Sequence, residues 1–378
     1  MERWEKLQQA IVEPVSALEL LHQEQQRKRP RQGYSTGSTK ASSSSSNQST
    51  TPTIIFPCCL LQHPTFSLPM GSLTEIAGPA GAGKTQLALS LCVDVVMMEC
   101  RNDTDDQDHS SNNSSHANNE KSKAVYVLLG GSGRFLQTIS RRLQQMIQAR
   151  LENDRTTTLQ TMVHVPPVAD RIHDCLTRIF VKWVCNTQDL VEMLRNSLPK
   201  LLQDHEPAIE CVVLDGIASL FRFQEYECNK WYQERAATLF EISQLCRELS
   251  AEFQVPFVVI NEATTRIVSS DDGDTKQPSR LEPALGLSWQ QCVNSSFFVH
   301  RCSGDDDSGN HANDGNATSR RRRRLKCLRA PHIKAGQSLD FFIDRSGAVS
   351  VVREGHGGKF TLPSCNDGIV AGQSSFEF

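Results

Sequence analysis

Residues 78–85 read Gly-Pro-Ala-Gly-Ala-Gly-Lys-Thr, fitting the spacing G-x-x-x-x-G-K-[ST]. That spacing suits phosphate chemistry. Gly78, Gly81 and Gly83 let the backbone curl until successive N–H groups point at one anion. Lys84 supplies a point charge for β- and γ-phosphates, and the Thr85 hydroxyl is a ligand for Mg²⁺. A helix starting at Lys84 turns its positive end toward the same anion. Pro79, Ala80, Ala82 and Gln86 complete the candidate nucleotide contacts. A Gly-rich structural turn is the bland alternative, and it leaves Lys84 without a purpose. The second half of such a site is an acid at the end of an apolar strand. In "IECVVLDG", Asp215 follows Val212, Val213 and Leu214, where it would hold Mg²⁺ through water. The competing reading is an Asp that caps the next helix.

These residues need strands and helices to hold them. Short β-branched runs, "SLTEIAG", "AVYVLL", "IFVKWV", "CVVLDG" and "PFVVIN", alternate with helical patterns over 84–99, 134–149, 187–203 and 233–253. Strands that are apolar throughout, alternating with helices, predict a parallel sheet covered on both faces. The later runs "SSFFVHR", "RRRRLKCLRA" and "LDFFIDRSGAVSVV" follow one another with a turn at 345–347. They predict antiparallel strands extending the sheet edge. Ahead of the sheet, residues 3–27 carry helical spacing broken at Pro14. That segment is either a small helix packed on the main domain or a docking element for a partner.

Three tracts rich in Ser, Asn and Asp, at 34–53, 101–122 and 303–319, lack the apolar content to order themselves. The first reads as a linker and the other two as surface insertions within one domain. The domain reading is a helical segment at 1–33, the linker at 34–53, a core over 54–352 and a flexible tail at 353–378. The net charge of −3 argues against strong unassisted binding to nucleic acid. Thirteen cysteines without a CxxC spacing, behind a charged N-terminus, predict reduced thiols in the nucleus or cytoplasm. No run approaches a membrane span.

With these residues placed, the chain resembles the eukaryotic RecA-like recombinases and their paralogs. The resemblance rests on "GSLTEIAGPAGAGKTQLALSLC", "AVYVLL", "CVVLDGIASLFR", "FVVINEAT", "RLEPALGLSW" and "APHIKAGQSLDFFI", in family order over most of 70–350. It implies an α/β fold: a RecA-like phosphate-loop ATPase core with a mostly parallel twisted sheet, helices on both faces and antiparallel C-terminal strands. It implies ATP and Mg²⁺ as cofactors, another RecA-like paralog subunit and the main recombinase as partners, and single-stranded or branched DNA as the substrate. The family's N-terminal DNA-binding domain is absent or truncated, since too few residues precede the core. In the family a Glu that polarises water follows the second strand. Here Leu128-Leu129-Gly130-Gly131 stand there, and losing such a group commonly costs ~10²–10⁴ in rate. The family's sensor Gln is Glu262 here, a candidate displaced base or a source of repulsion toward the γ-phosphate.

The family's DNA-facing loops correspond to about 222–235 and 264–282. They carry Arg222, Arg235, Arg266, Lys276 and Arg280, interleaved with acids that make partner packing an equal alternative. The basic run at 320–324 reads as an edge-strand guard, a nuclear-localisation patch or a phosphate contact. Pro331 and His332 stand where family neighbours cap each other's ATP; a plain turn is the alternative. The leading reading is an ATP-binding recombination-repair subunit with slow or no turnover. The rivals are a DNA-dependent ATPase and a small-molecule kinase, the latter disfavoured by the missing Arg-rich lid.

Overall fold

The computed structural model describes residues 15–27, 68–97, 121–157, 167–206, 208–222, 231–266, 280–302, 322–344, 347 and 349–351. The linker, the tail, the 303–319 insertion and nearly all of the 101–122 insertion lie outside the described residues.

The first element is a short strand, β1 (Val15–Ser16), running into α1 (Ala17–Arg27). Ser16 and Glu19 explain the start of that helix. Glu19 N donates to Ser16 Oγ at 3.2 Å and Ser16 N donates to Glu19 Oε2 at 2.9 Å, a reciprocal cap. The apolar runs then become β2 (Leu73–Ala77), β3 (Lys123–Leu129), β4 (Ile179–Val184), β5 (Ile209–Asp215) and β6 (Phe257–Ile260). A two-stranded ladder off the main sheet comes next, β7 (Ala263–Arg266) with β8 (Arg280–Pro283). The last strands are β9 (Ser295–Arg301), β10 (Arg323–Arg329), β11 (Ser338–Ile343) and β12 (Val349–Val351). The main sheet has the order β1-β4-β3-β5-β6-β2-β9-β10-β11-β12. Neighbours from β4 to β9 pair in parallel; β1 and β10 to β12 join antiparallel. The sheet is the mixed, mostly parallel one the sequence predicts, with β9 as its last parallel member.

Both faces are covered because both alternating sets of side chains in the parallel strands are largely apolar. In β3, Ala124 and Tyr126 pack with one layer, while Val125, Val127 and Leu129 pack with the other. The first layer holds α1, α2 (Lys84–Met97), α3 (Arg134–Thr157) and α4 (Val168–Thr177). The second holds α5 (Thr187–Glu192), α6 (Leu198–Asp204), α7 (Trp231–Phe253) and α8 (Gly286–Cys292).

Three details differ from the sequence expectation. The helix expected over 187–203 is interrupted by a π-turn at Met193–Ser197. Pro199, in the first turn of α6, cannot donate to the preceding turn and crowds its carbonyl, and the wider turn absorbs both problems. The short strand β1, the helices α4 and α8 and the β7–β8 ladder lie outside the predicted elements, although Val168, Ile172, Cys175 and Leu176 give α4 a clear helical spacing. Finally, β10 lies between β9 and β11, so Arg323 and Arg324 do not guard a sheet edge; Arg320 and Arg321 lie outside the described residues. Among the described residues every cysteine is a free thiol, and no helix is long and apolar enough to cross a membrane.

Candidate phosphate-binding site

The loop at 78–83 joins the C-terminal end of β2 to the N-terminus of α2, as its spacing predicts. Ala82 N donates to Pro79 O at 3.2 Å, closing the curl, and Leu87 N donates to Gly83 O at 2.9 Å, opening the helix. Lys84 is nearly buried, and its Nζ donates to Gly78 O at 2.8 Å and Pro79 O at 3.0 Å. Burial lowers its pKa, with the Asp215 charge pulling the other way. The ammonium is therefore held inside the loop before any anion is considered.

Asp215 ends β5 beside this loop. It is buried, and it accepts a hydrogen bond from Tyr126 Oη at 2.5 Å and another from the Thr85 hydroxyl. Desolvation raises its pKa; the bonds from Tyr126 and Thr85 and the Lys84 charge oppose that rise without cancelling it. Burial, then the adjoining Asp215 charge, pushes the Tyr126 phenol well above its ordinary value. The register explains the meeting. Leu128 of β3 stands opposite Asp215 of β5, and Tyr126, two residues earlier, projects from the same face. Nothing in the run 124–129 marks Tyr126 out, because that run reads as plain core.

From Thr85 and Asp215 a cleft of about 560 Å³ opens along Gln86, Gly130, Thr138, Arg141 and Glu262. Arg142 Nε donates to Gln86 Oε1 at 2.9 Å, and Arg150 bonds Ser90 Oγ at 2.6 Å and pairs with Asp94, fastening α3 to α2 along the cleft wall. Gly130 belongs to the stretch Leu128–Gly131, where the family resemblance implies a water-polarising Glu. Its φ is +69°, and a Cβ there would lie 2.1 Å from Ser219 Oγ. Ser219 is fixed in that place, donating to Leu129 O and Gly216 O at 2.8 and 2.7 Å. Trp183 Nε1 donates to Gly130 O at 2.9 Å from the other side. The position is closed by packing as well as lacking a carboxylate.

Glu262 does line the cleft, paired with Arg222. Its backbone N donates to Asn261 Oδ1 at 2.8 Å. Asn261 Nδ2 in turn donates to the buried Glu75 at 2.7 Å, and Ser296 Oγ donates to Glu75 at 2.6 Å. A polar chain thus runs under the cleft from β6 through β2 to β9.

The other candidates are scattered. Arg222 sits on Glu262, and Arg235 lies over the Phe221 ring at 5.8 Å. Arg266 and Arg280 are direct register partners at the end of the β7–β8 ladder; Lys276 lies outside the described residues. Pro331 and His332 form an exposed turn closed by the bridge of Ala330 to Ile333. Sequence reasoning missed Arg301 as well as Tyr126. Arg301 Nε donates to Gly81 O at 2.8 Å, and Arg323 Nε donates to Ala82 O at 2.9 Å, so two strands distant in sequence grip the loop.

The donor set suits a nucleotide with a divalent cation. Thr85 and Asp215 offer hard oxygens side by side, and a phosphate-bound Mg²⁺ takes only one or two protein ligands. Among the described residues no cluster of three His, Cys, Asp or Glu offers an all-protein metal cage.

Comparison with known proteins agrees with this geometry. Residues 67–257 match the AAA domain family. The DNA repair protein XRCC3 homolog of Arabidopsis thaliana is 31% identical over 38% of this chain and 51% of its own length. The DNA repair protein XRCC3 of Mus musculus is 28% identical over 63% of this chain and 60% of its own. The DNA repair protein RAD51 homolog 2 of Mus musculus is 23% identical over 64% of each chain. The chain thus spans between half and just under two thirds of the length of these relatives. Half of its residues match one family of nucleotide-binding domains, so the chain belongs to the AAA domain family; its similarity to these DNA repair proteins extends beyond that match.

Proposed function

We propose that this chain binds ATP with Mg²⁺ and serves homologous-recombination repair as one subunit of a RecA-like paralog assembly in the nucleus. In that role it supports the main recombinase on single-stranded DNA and the processing of branched junctions. The observation that carries the reading is the convergence of Lys84, Thr85 and Asp215 at the ends of β2 and β5. Ligands of open α/β sheets bind outside such strand ends. The loop amides and Lys84 would hold the β- and γ-phosphates. Thr85 would bind Mg²⁺ directly and Asp215 through water. Mg²⁺, when bound, would neutralise phosphate charge and favour the ionised form of Asp215, which burial disfavours.

The chain holds ATP as an interfacial ligand more than it turns it over. Hydrolysis needs a group that orients or activates water, and the packing around Gly130 leaves no space for one there. ATP binding would then stabilise the assembled form by linkage. The names of the matched relatives, all DNA repair proteins, support the biological setting. The experiment is co-purification from cells with the other RecA-like proteins, in ATP and without it. Retention that needs ATP and is lost in Lys84→Ala is the expected result. Retention that ignores both would overturn the proposal.

One observation favours a second reading, the DNA-dependent ATPase: the Glu262 carboxylate lines the cleft. Multiple turnovers faster than about one per minute, stimulated by single-stranded DNA, would establish it, against typical enzyme turnover near ~10 s⁻¹.

A further inference from the structure

The arginine run at 320–324 is divided by the strand that carries part of it. The pleat of β10 sends successive side chains to opposite faces. Arg322 and Arg324 turn to one face, where their Nε atoms each donate to Asp340 of β11 at 2.7 Å. Arg323 turns to the other, and there it donates to Ala82 O. Its direct register partner across β9–β10 is Arg301, which donates to Gly81 O. Two like charges set directly opposite each other in antiparallel strands oppose pairing. Here both face consecutive carbonyls of the phosphate loop, so their repulsion is offset where an anion would bind. The approach is close: a Cβ on Gly83 would come within 2.8 Å of Arg323 Nε.

We infer that Arg301 and Arg323 are positioning residues for the triphosphate, an outer cationic clamp that aims the loop's amides and raises the local potential. The inference rests on the nucleotide-binding reading above. In a trans peptide the C=O and N–H point in opposite directions. Holding Ala82 O from outside therefore turns the Gly83 N–H inward, and holding Gly81 O fixes the peptide whose Ala82 N–H closes the curl on Pro79 O. A charged donor on the carbonyl also polarises the amide and strengthens its N–H as a donor. Lys84 acts from inside the loop and the two arginines act from behind it. The C-terminal strands, which are not part of the phosphate-loop motif, thereby become part of the phosphate site.

The test uses the full chain and three probes, ATP, ADP and inorganic tripolyphosphate, titrated at low and at physiological salt. Arg301→Gln and Arg323→Gln keep a hydrogen-bond donor and remove the charge; Arg301→Lys and Arg323→Lys keep the charge. Arg322→Gln, on the opposite face of the same strand, is the control. Each Gln variant should weaken ATP and tripolyphosphate by the same factor, about five- to tenfold at low salt, and ADP by less. The Lys variants should recover most of that loss, and the control should match wild type. Thermal unfolding without ligand checks that each variant is folded. If wild type binds and the folded Gln variants bind equally well, the clamp is wrong while the nucleotide reading stands. Equal losses on ATP and ADP, unrelieved by Lys, would mark a merely structural brace and also overturn it. A wild-type chain that binds none of the probes removes both.

Discussion

Replacing Gly130 by Ala should be far more damaging than the same change one residue later. At φ +69° an L-residue costs ~1–2 kcal/mol. The new Cβ would lie 2.1 Å from Ser219 Oγ and 2.9 Å from Ser219 Cβ. Rotating Ser219 relieves the first clash, but it gives up the hydroxyl bond shared between Leu129 O and Gly216 O, ~1 kcal/mol. The second contact remains, and overpacking of that kind costs ~1–3 kcal/mol. The sum is roughly 3–6 kcal/mol, a large part of a domain's typical stability. At ~2–4 °C per kcal/mol for a domain of this size, the unfolding midpoint should fall by roughly 6–24 °C. Gly131 has φ +66°, but a Cβ there meets nothing closer than Phe135 at 3.7 Å. Gly131→Ala should therefore lose only the backbone part, ~1–2 kcal/mol.

Circular dichroism melts of the full chain measure both. The double variant G130A/S219G removes the clashing side chain and should recover at least ~1 kcal/mol relative to additivity. If G130A melts no lower than G131A, or the double variant is simply additive, the packing argument for this closed position fails.

Asp215→Asn should stabilise the ligand-free protein at pH 7. The folded-state pKa of Asp215 is raised, so the folded chain binds more protons than the unfolded one between the two values, and stability falls as pH rises through that window. The gain from Asn should vanish below the ordinary carboxylate range, and Mg²⁺-dependent ATP binding should weaken; a lower melting point at pH 7 would contradict the argument. Asp340 carries the opposite sign. Its bonds to Arg324 and then to Arg322 hold its pKa down, so its contribution is present above the ordinary Asp value and lost as pH falls through the depressed one. Asp340→Asn should cost ~1.5–3 kcal/mol at neutral pH and little in acid, read from melts across pH. Lys84→Ala should abolish nucleotide binding while leaving the ligand-free melting point near wild type, because a desolvated ammonium is removed; a retained micromolar-range affinity, ~8 kcal/mol of binding, would refute the assignment.

What could be read from the sequence was local. The phosphate loop is contiguous, and its spacing carries its own chemistry. Asp215 was readable because an acid at the end of an apolar run is unusual unless the strand end has a use. The alternation of apolar runs and helical periods gave the layered sheet for the same reason. The unread parts depend on register. Tyr126 reaches Asp215 only because β3 and β5 pair as they do, and Arg301 faces Arg323 only through the β9–β10 ladder. The arginine run looked like a single basic patch because composition does not record the pleat that sends its members to different partners.

Those partners bear on the balance between holding and cleaving a nucleotide. The carboxylates lining the cleft, among the described residues, are Asp215 and Glu262. Each has a partner: Asp215 takes bonds from Tyr126 and Thr85, and Glu262 pairs with Arg222. A general base needs a free lone pair within reach of the attacking water. The pair with Arg222 engages Glu262 Oε2 and holds the carboxylate in place, so breaking it would let the side chain swing toward an attacking water. If Arg222 meets a polyanion, as the proposed function has it, drawing that side chain away would release the carboxylate. Glu262→Gln would separate the two states: it should leave ATP binding intact and abolish any turnover that DNA elicits. DNA-stimulated turnover persisting in that variant would show that Glu262 is not the base.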